Sequence, residues 1–165
     1  MGRHPFEEHL PRLRRYAMAL MRDRMRADDL VQDTLERALR KFSLFRRSTD
    51  LRAWLFTIMH NVHVNQIRAA TTAARTQPDD EGSEPAHTPL DEAATARDIS
   101  NALQHLAPEH REVILLVGLE QLSYEETARV LDVPIGTVMS RLTRARERLR
   151  ALMSGETSPT LRRVK

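Results

Sequence analysis

The chain has 165 residues, a formal net charge of +3, 30% charged residues and only 4% aromatic residues. It contains no cysteine, which excludes disulfides and thiolate chemistry, and none of its 5 glycines forms a phosphate-cradling loop motif. The longest apolar run, residues 113–119, is far shorter than the roughly 20 residues of a membrane span. These features predict a largely helical, cytoplasmic protein without membrane insertion.

Charge is distributed unevenly along the chain. Residues 1–70 and residues 137–165 each carry a net charge of +6, whereas residues 71–100 carry −5 and residues 101–136 carry −4. Two basic blocks around an acidic middle favour two contacts with a polyanion such as nucleic acid. Ordinary solvated helix faces explain the charge pattern equally well.

Three amphipathic helices are predicted in residues 1–70. The first covers residues 6–20, the second opens with the acidic pair Asp28-Asp29, and the third covers residues 51–68. Three such helices can close a small core of their own, so we expect residues 1–70 to form the first domain.

An acidic segment follows the third helix. Residues 71–97 hold three prolines, six acidic residues and no aromatic residue, and cannot bury enough apolar surface to offset their ordering entropy. This composition predicts a flexible linker, in which helix resumes near Leu90. The linker separates the first domain from a second at residues 98–153, which is followed by a basic tail at residues 154–165.

The second domain has the pattern of a helix-turn-helix. Pro108 is predicted to be the first residue of a helix that stops at Gly118. Ser123 and Glu126 are predicted to form a capping box at the start of a short helix. A break at residues 132–136 separates this short helix from a longer basic one.

One flank of the last helix is polar and lies clear of its apolar stripe. Its residues are Thr137, Ser140, Arg141, Arg144 and Arg148. Hydroxyls near the helix start and arginines further on are typical of a recognition helix in the major groove, where the first residues reach base edges and the later ones phosphates. A basic helix that binds another partner is the alternative.

A second polar stripe lies on the third helix. Its residues are Trp54, Ile58, Asn61, Asn65 and Arg68. Indole, amide and guanidinium groups can stack on or hydrogen-bond to unpaired bases, and Phe45 with the loop from Arg46 to Asp50 can complete a pocket. From spacing alone, a core role for Trp54 is favoured over base contact.

The same helix carries two histidines, His60 and His63, at i, i+3 spacing. No cysteine or suitably spaced acidic residue accompanies them, so we interpret both as surface residues. No metal and no cofactor are expected.

Three motifs occur in the order and at the chain length of one family. They are DDLVQDT at residues 28–34, LRAWL at 51–55 with Asn61, and PIGTV at 134–138 with Ser140-Arg141 and Arg144-Ala145-Arg146. The chain thereby closely resembles the bacterial extracytoplasmic-function (ECF) sigma factors, small two-domain members of the sigma-70 family. The resemblance covers about residues 5–69 and 98–152.

This resemblance implies a dissociable promoter-specificity subunit of RNA polymerase that is not an enzyme. The first domain would dock on core polymerase and open the −10 element, and the second would read the duplex −35 element. The expected partners are core enzyme, promoter DNA and an anti-sigma factor. A free-standing helix-turn-helix regulator is the main alternative, and a small metallohydrolase built on the histidine pair is a distant one.

The matched motif positions and the two polar stripes together give three predicted groups of site residues. The core-polymerase group is Asp29, Gln32, Asp33 and Glu36. The −10 group is Phe45, Arg46, Trp54, Ile58, Asn61, Asn65 and Arg68. The −35 group is Thr137, Met139, Ser140, Arg141, Thr143, Arg144 and Arg148. Met139 stands where many relatives carry a basic residue, so no −35 sequence preference is carried over.

Overall fold

The computed structural model describes residues 2–46, 50–74 and 92–154. The chain folds into two compact units, and every regular element in the described residues is a helix. The predicted all-α class with two helical units is therefore confirmed. Within these residues, no helix combines the length and the apolar character that crossing a bilayer requires.

The first unit contains three helices. They are α1 (Leu10–Met21), α2 (Arg24–Lys41) and α3 (Leu51–Ala74), with 3₁₀ turns at Glu7–His9 and Phe42–Leu44. Helix α2 packs against both α1 and α3. The core consists mainly of small and branched apolar residues together with three aromatic rings: Phe6, Leu13, Tyr16, Ala17, Leu20, Ala27, Leu30, Ala38, Leu55, Phe56, Met59 and Val62.

Helix α2 begins earlier than the acidic pair predicted. The Asp23 carboxylate accepts a hydrogen bond from the backbone N–H of Arg26 at 3.2 Å, which makes Asp23 the N-cap. Asp28 and Asp29 therefore lie inside the helix, and the prediction that they open it was wrong. An acidic pair near a helix start is favoured by the helix dipole, but a better cap lies five residues upstream.

Helix α3 continues to Ala74, past both its predicted end at Arg68 and the predicted domain boundary at residue 70. Helix α4 begins at Glu92, within two residues of Leu90, where helix was predicted to resume inside the linker segment. The remaining linker residues 75–91 and the tail from residue 155 lie outside the described residues.

The second unit begins with α4 and contains α5, most of α6, and α7. Their bounds are α4 (Glu92–Gln104), α5 (Pro108–Ile114), α6 (Tyr124–Leu131) and α7 (Ile135–Met153). Pro108 is the first residue of α5, as predicted. The helix does not stop at Gly118, because a π-helical segment, Leu115–Leu119, extends it. The residue with left-handed backbone after this segment is Gln121, with φ of 56°.

A half-buried arginine joins α4 to α5. The Arg111 guanidinium donates hydrogen bonds to three carbonyl oxygens at the end of α4 and just beyond, those of Leu103 at 2.8 Å, Gln104 at 3.0 Å and Leu106 at 3.1 Å. Burial lowers the pKa of Arg111, and the carboxylate of Glu112 partly offsets that effect. These bonds occupy carbonyls that a helix end otherwise leaves without partners.

The helix-turn-helix follows the predicted pattern with a shorter turn. The Ser123 hydroxyl accepts from the Glu126 N–H at 3.0 Å, and the Glu126 carboxylate accepts from the Ser123 N–H at 2.9 Å, which confirms the capping box. Asp132, with φ of 54°, turns the chain after α6. Helix α7 already begins at Ile135 behind Pro134, so the predicted break at residues 132–136 was two residues too long.

Candidate functional site

The exposed face of α2 brings together all four residues of the predicted core-polymerase group. Asp29, Gln32, Asp33 and Glu36 are exposed, and their spacing of three, one and three residues places them on one side of the helix. The Asp33 carboxylate accepts a hydrogen bond from the Gln66 amide at 3.2 Å, which ties this face to α3.

Large apolar side chains border this acidic face, and the sequence analysis did not identify them. Met25 is 76% exposed, Leu39 is 55% exposed and Met18 is 42% exposed. A groove of about 900 Å³ lies beside the face and shares Gln32 and Glu36 with it. A surface that combines exposed apolar side chains with charged ones is typical of a site that binds another protein.

A smaller cleft of about 260 Å³ is lined by residues of α1, α2 and α3, among them Arg26, Asp29 and His63. His63 is only 7% exposed, so its interpretation as a surface residue was wrong, whereas His60 is half-buried. The reason is that His63 lies one turn after buried Met59 on the side of α3 that faces the core. In the described part of the chain, no three His, Cys, Asp or Glu side chains group as metal ligands.

The predicted −10 stripe divides into two parts on α3. Asn61, Asn65 and Arg68 are exposed together, but Ile58 is only 6% exposed. Ile58 lies between Leu55 and Val62 on the buried face of the helix. The prediction that Ile58 belongs to the DNA-contacting surface was therefore wrong, and the residue is part of the core. Three of the five stripe residues remain as an open polar surface.

Aromatic packing holds the other half of this group in place. The indole of Trp54 is half-buried, with its ring centroid 5.1 Å from that of Phe45, which in turn stacks on Phe42 at 6.0 Å and an interplanar angle of 7°. Trp54 therefore has the packing role that its spacing favoured. Arg46 is exposed directly after these rings, and residues 47–49 of the loop lie outside the described residues.

The loop ends at a well-defined helix start. The Asp50 carboxylate accepts a hydrogen bond from the Arg52 N–H at 3.1 Å, and the Asp50 carbonyl accepts from the Trp54 N–H at 3.0 Å. Asp50 thus caps α3 immediately before the indole. Both ends of the loop are consequently fixed by contacts within the first unit.

The predicted −35 residues occupy the solvent side of α7. The opposite side of α7 is buried at Val138, Leu142 and Ala145, and the helix packs on α4 and α5 of the same unit. The −35 residues away from this buried face are fully or partly exposed: Thr137, Met139, Ser140, Arg141, Thr143, Arg144 and Arg148.

Two small hydroxyls on this surface bond to their own helix. The Thr143 hydroxyl donates to the carbonyl of Met139 at 3.0 Å, and the Ser140 hydroxyl donates to that of Thr137 at 3.2 Å. Each oxygen keeps lone pairs that can accept a further hydrogen bond.

Two further arginines, Arg146 and Arg150, belong to this surface but were not predicted. Both are exposed, and with Met139 and Thr143 they form a second row at spacings of four, three and four residues. The first row runs along the opposite flank through Arg141 and Arg148. The helical spacing argument that identified the first row identifies the second as well, once α7 is known to bury only one narrow face.

The chain combines two helical units, an acidic face on α2, and a helix-turn-helix whose second helix is basic. These features define a DNA-binding protein of the helix-turn-helix class. Residues 6–60 match the family model "Sigma2 domain of PhyR", and residues 96–149 match "Sigma-70, region 4". The chain is 37% identical to the ECF RNA polymerase sigma factor EcfG of Rhodopseudomonas palustris over 148 residues, covering 87% of this chain and 80% of that protein. It is 35% identical to SigL of Mycobacterium tuberculosis, covering 88% and 84% of the two chains.

Solved structures give the same result. The sigma factor RpoE of Bartonella quintana, in complex with the anti-sigma factor NepR, superposes with a TM-score of 0.76 at 35% identity, covering 92% of this chain and 96% of that one. CnrH, in complex with the cytosolic domain of CnrY, superposes with a TM-score of 0.67 at 27% identity, covering 92% and 86%. The chain belongs to the ECF sigma factors of RNA polymerase, which are DNA-binding regulators of transcription.

Proposed function

We propose that this sigma factor binds core polymerase through the exposed face of α2, opens the −10 element with α3 and the preceding loop, and reads the −35 element with α7. The observation that carries the proposal is the presence, on two separate units of one chain, of an acidic face bordered by apolar residues and of a basic helix-turn-helix surface. A free-standing regulator needs the second surface but has no use for the first.

The α2 face suits a basic partner helix. Asp29, Asp33 and Glu36 supply negative charge at its centre, and Met25 and Leu39 supply apolar area at its ends. Opposite charges across an interface steer encounter and set the register, whereas apolar contacts at the ends supply area from which water is removed.

The open part of α3 suits unpaired bases. Asn61 and Asn65 each offer two amide donors and one carbonyl acceptor, which match the edge of an extruded base, and Arg68 can meet a phosphate. The Phe45 and Trp54 rings adjoin the loop after α2, where a flipped base can stack. In this proposal the domain at residues 1–70 recognises and melts the −10 element.

The two arginine rows of α7 suit the two walls of a major groove. The groove is about 12 Å wide and a helix with its side chains is about 10–12 Å across, so both flanks of an inserted helix approach phosphates. Arg141 and Arg148 would face one strand and Arg146 and Arg150 the other. Ser140, Thr143 and Arg144 would then face base edges, and the exposed Met139 thioether suits a thymine methyl group.

We also infer an anti-sigma partner, because the similar sigma factor RpoE has been solved in complex with the anti-sigma factor NepR. A protein that acts on polymerase and promoter DNA works in the bacterial cytoplasm, and we place the chain there. In this role it catalyses no covalent chemistry, since binding energy to core enzyme and to flipped bases drives the local melting.

The test is co-purification of the full chain with core RNA polymerase, followed by run-off transcription on genomic fragments. We expect a stoichiometric complex and discrete transcripts that depend on the chain. A chain that binds duplex DNA but not core polymerase would instead be a free-standing regulator.

A further inference from the structure

A cluster of five rings joins three separate segments of the first unit. The rings belong to His4, Phe6, Phe42, Phe45 and Trp54. The Phe6 ring lies 4.5 Å from His4, 5.1 Å from Phe42 and 6.3 Å from Trp54 between ring centroids. Phe6 is only 4% exposed, whereas the other four rings are half-buried or exposed. Phe6 is therefore the buried centre of the cluster.

Short-range hydrogen bonds fix the segment that carries Phe6. The Phe6 N–H donates to Nδ1 of His4 at 3.3 Å, the Glu7 N–H donates to the His4 carbonyl at 2.9 Å, and the His9 N–H donates to the Phe6 carbonyl at 3.0 Å. These bonds turn the chain just before α1. The turn points the Phe6 side chain at the end of α2 and the first turn of α3.

The cluster sits at both ends of the loop that precedes α3. Phe42 and Phe45 lie immediately before Arg46, and Trp54 lies one turn after Asp50. Phe6 contacts rings on both sides, so its position couples the two ends of the loop. Helices α2 and α3 also pack on each other through separate buried residues, so this packing does not depend on the ring of Phe6.

We propose that Phe6 is a positioning residue for −10 opening, and that the N-terminal segment at residues 4–6 holds Phe45 and Trp54, the rings on either side of the loop, in place through this cluster. The inference rests on the proposed role of the loop and α3 in melting. Phe6 itself touches no DNA in this account. It acts through Phe45 and Trp54, by keeping them where a flipped base is captured.

The experiment compares two identical substitutions in the same unit. Phe6→Leu removes a ring from the cluster, whereas Phe56→Leu removes an equally buried ring that pairs with Tyr16 at 5.2 Å and does not touch the cluster. Each full-length variant is assembled with core polymerase on a promoter fragment found by run-off transcription with the unaltered chain. Permanganate reactivity at the −10 element then measures opening, and urea denaturation measures stability.

We expect Phe6→Leu to lower the open-complex equilibrium about 2- to 12-fold, the loss that corresponds to roughly 0.5–1.5 kcal/mol of aromatic pairing. Phe56→Leu should lower the free energy of unfolding about as much as Phe6→Leu does, and it should leave promoter opening unchanged. The chain has a single tryptophan, so the fluorescence of the free protein reports on Trp54 directly. Its emission should shift in Phe6→Leu and not in Phe56→Leu.

Equal opening by the two leucine variants, or an unshifted Trp54 emission in Phe6→Leu, would overturn the proposal. If Phe6→Leu does not fold, the exposed His4 provides the test through His4→Ala, for which we expect about a 2-fold loss of opening. Wild-type opening by His4→Ala in that case would also overturn the proposal. Failure of the unaltered chain to open any promoter would instead contradict the proposed function.

Discussion

The two units hold their exposed helices in different ways. In the second unit polar groups fix the helix ends, through the Arg111 guanidinium on the carbonyls around the end of α4 and the reciprocal bonds of Ser123 and Glu126 at the start of α6. In the first unit the Asp23 and Asp50 carboxylates cap α2 and α3, and a ring cluster in addition joins the end of α2 to the start of α3. The difference indicates which substitutions will disturb each proposed surface.

The surface on α7 comes from one helix and needs only that this helix be held firmly. The −10 surface instead combines the end of α2, the loop and the start of α3, so its shape depends on contacts between segments. We therefore expect substitutions in the second unit to separate cleanly into effects on stability and effects on DNA contact. In the first unit, the same substitution can change both packing and melting.

The largest expected effect is on the α2 face. Asp33→Arg should weaken core-polymerase binding by several kcal/mol, about 100-fold or more, because it sets like charges against each other in the interface. Circular dichroism and a pull-down on core enzyme measure fold and binding. Gln66→Ala removes the 3.2 Å hydrogen bond but keeps the charge, and should bind normally.

A charge reversal at the exposed Asp98 of α4, outside the proposed interface, serves as the matched control for Asp33→Arg. If a folded Asp33→Arg protein binds core polymerase as tightly as Asp98→Arg does, the α2 face is not the docking surface. The first unit would then have no assigned surface for binding core polymerase.

The next effect concerns the polar groups that hold the second unit. Arg111→Ala should lower the free energy of unfolding of this unit by about 1.5–3 kcal/mol, since hydrogen bonds from a charged donor are lost and carbonyls at the end of α4 are left without partners. Ser123→Ala should cost about 1 kcal/mol through the lost cap. Urea denaturation with hydrogen exchange in α4 and α5 measures both changes.

The exposed Arg97 on α4 provides the matched control, and Arg97→Ala should leave stability within about 0.5 kcal/mol of the unaltered chain. Core-polymerase binding should survive in all three variants, because it is assigned to the first unit. A loss of core binding in Arg111→Ala would mean that the two units do not act independently.

Promoter opening should depend on Asn61. Asn61→Ala should lower the open-complex equilibrium about 5- to 150-fold, which corresponds to a hydrogen bond worth roughly 1–3 kcal/mol. Duplex recruitment should change little, because it rests mainly on the second unit. Permanganate reactivity on duplex and on pre-melted templates separates the two steps, since the bubble already supplies the unpairing.

A pre-melted −10 bubble should therefore rescue part of the Asn61→Ala defect. Equal reactivity of Asn61→Ala and unaltered holoenzyme on duplex DNA would make Asn61 an ordinary solvated residue. The base pocket would then have to be sought in the loop between Arg46 and Asp50.

The most selective effect is expected on α7. Arg144→Ala should cost about 1–3 kcal/mol at a single base pair of the −35 element if Arg144 reads a base, whereas Arg150→Ala should weaken binding uniformly and reduce the salt slope by about 1. Binding to a panel of −35 variants at two salt concentrations measures both. Identical behaviour of the two variants would mean that Arg144 and Arg150 do not differ as a base contact and a phosphate contact.

Local signals in the sequence were sufficient for three features of the second unit. Pro108, the Ser123–Glu126 capping box and the polar flank of α7 each act within a few residues, and all are found where the pattern predicted them. Helix ends were less predictable: the cap at Asp23 and the π-helical segment at Leu115–Leu119 each shifted a boundary. Competing local caps differ by about 1 kcal/mol or less, so tertiary packing decides between them.

The sequence by itself determined the all-α class, the family and the side of α2 and α7 that carries charge, because helical periodicity and short motifs are local properties. Only the tertiary structure decided that Ile58 and His63 are buried and that Phe6 reaches Phe42 and Trp54. Whether a residue at the edge of a helix stripe is covered depends on the neighbouring helix, and contacts between distant segments leave no periodic trace in the chain.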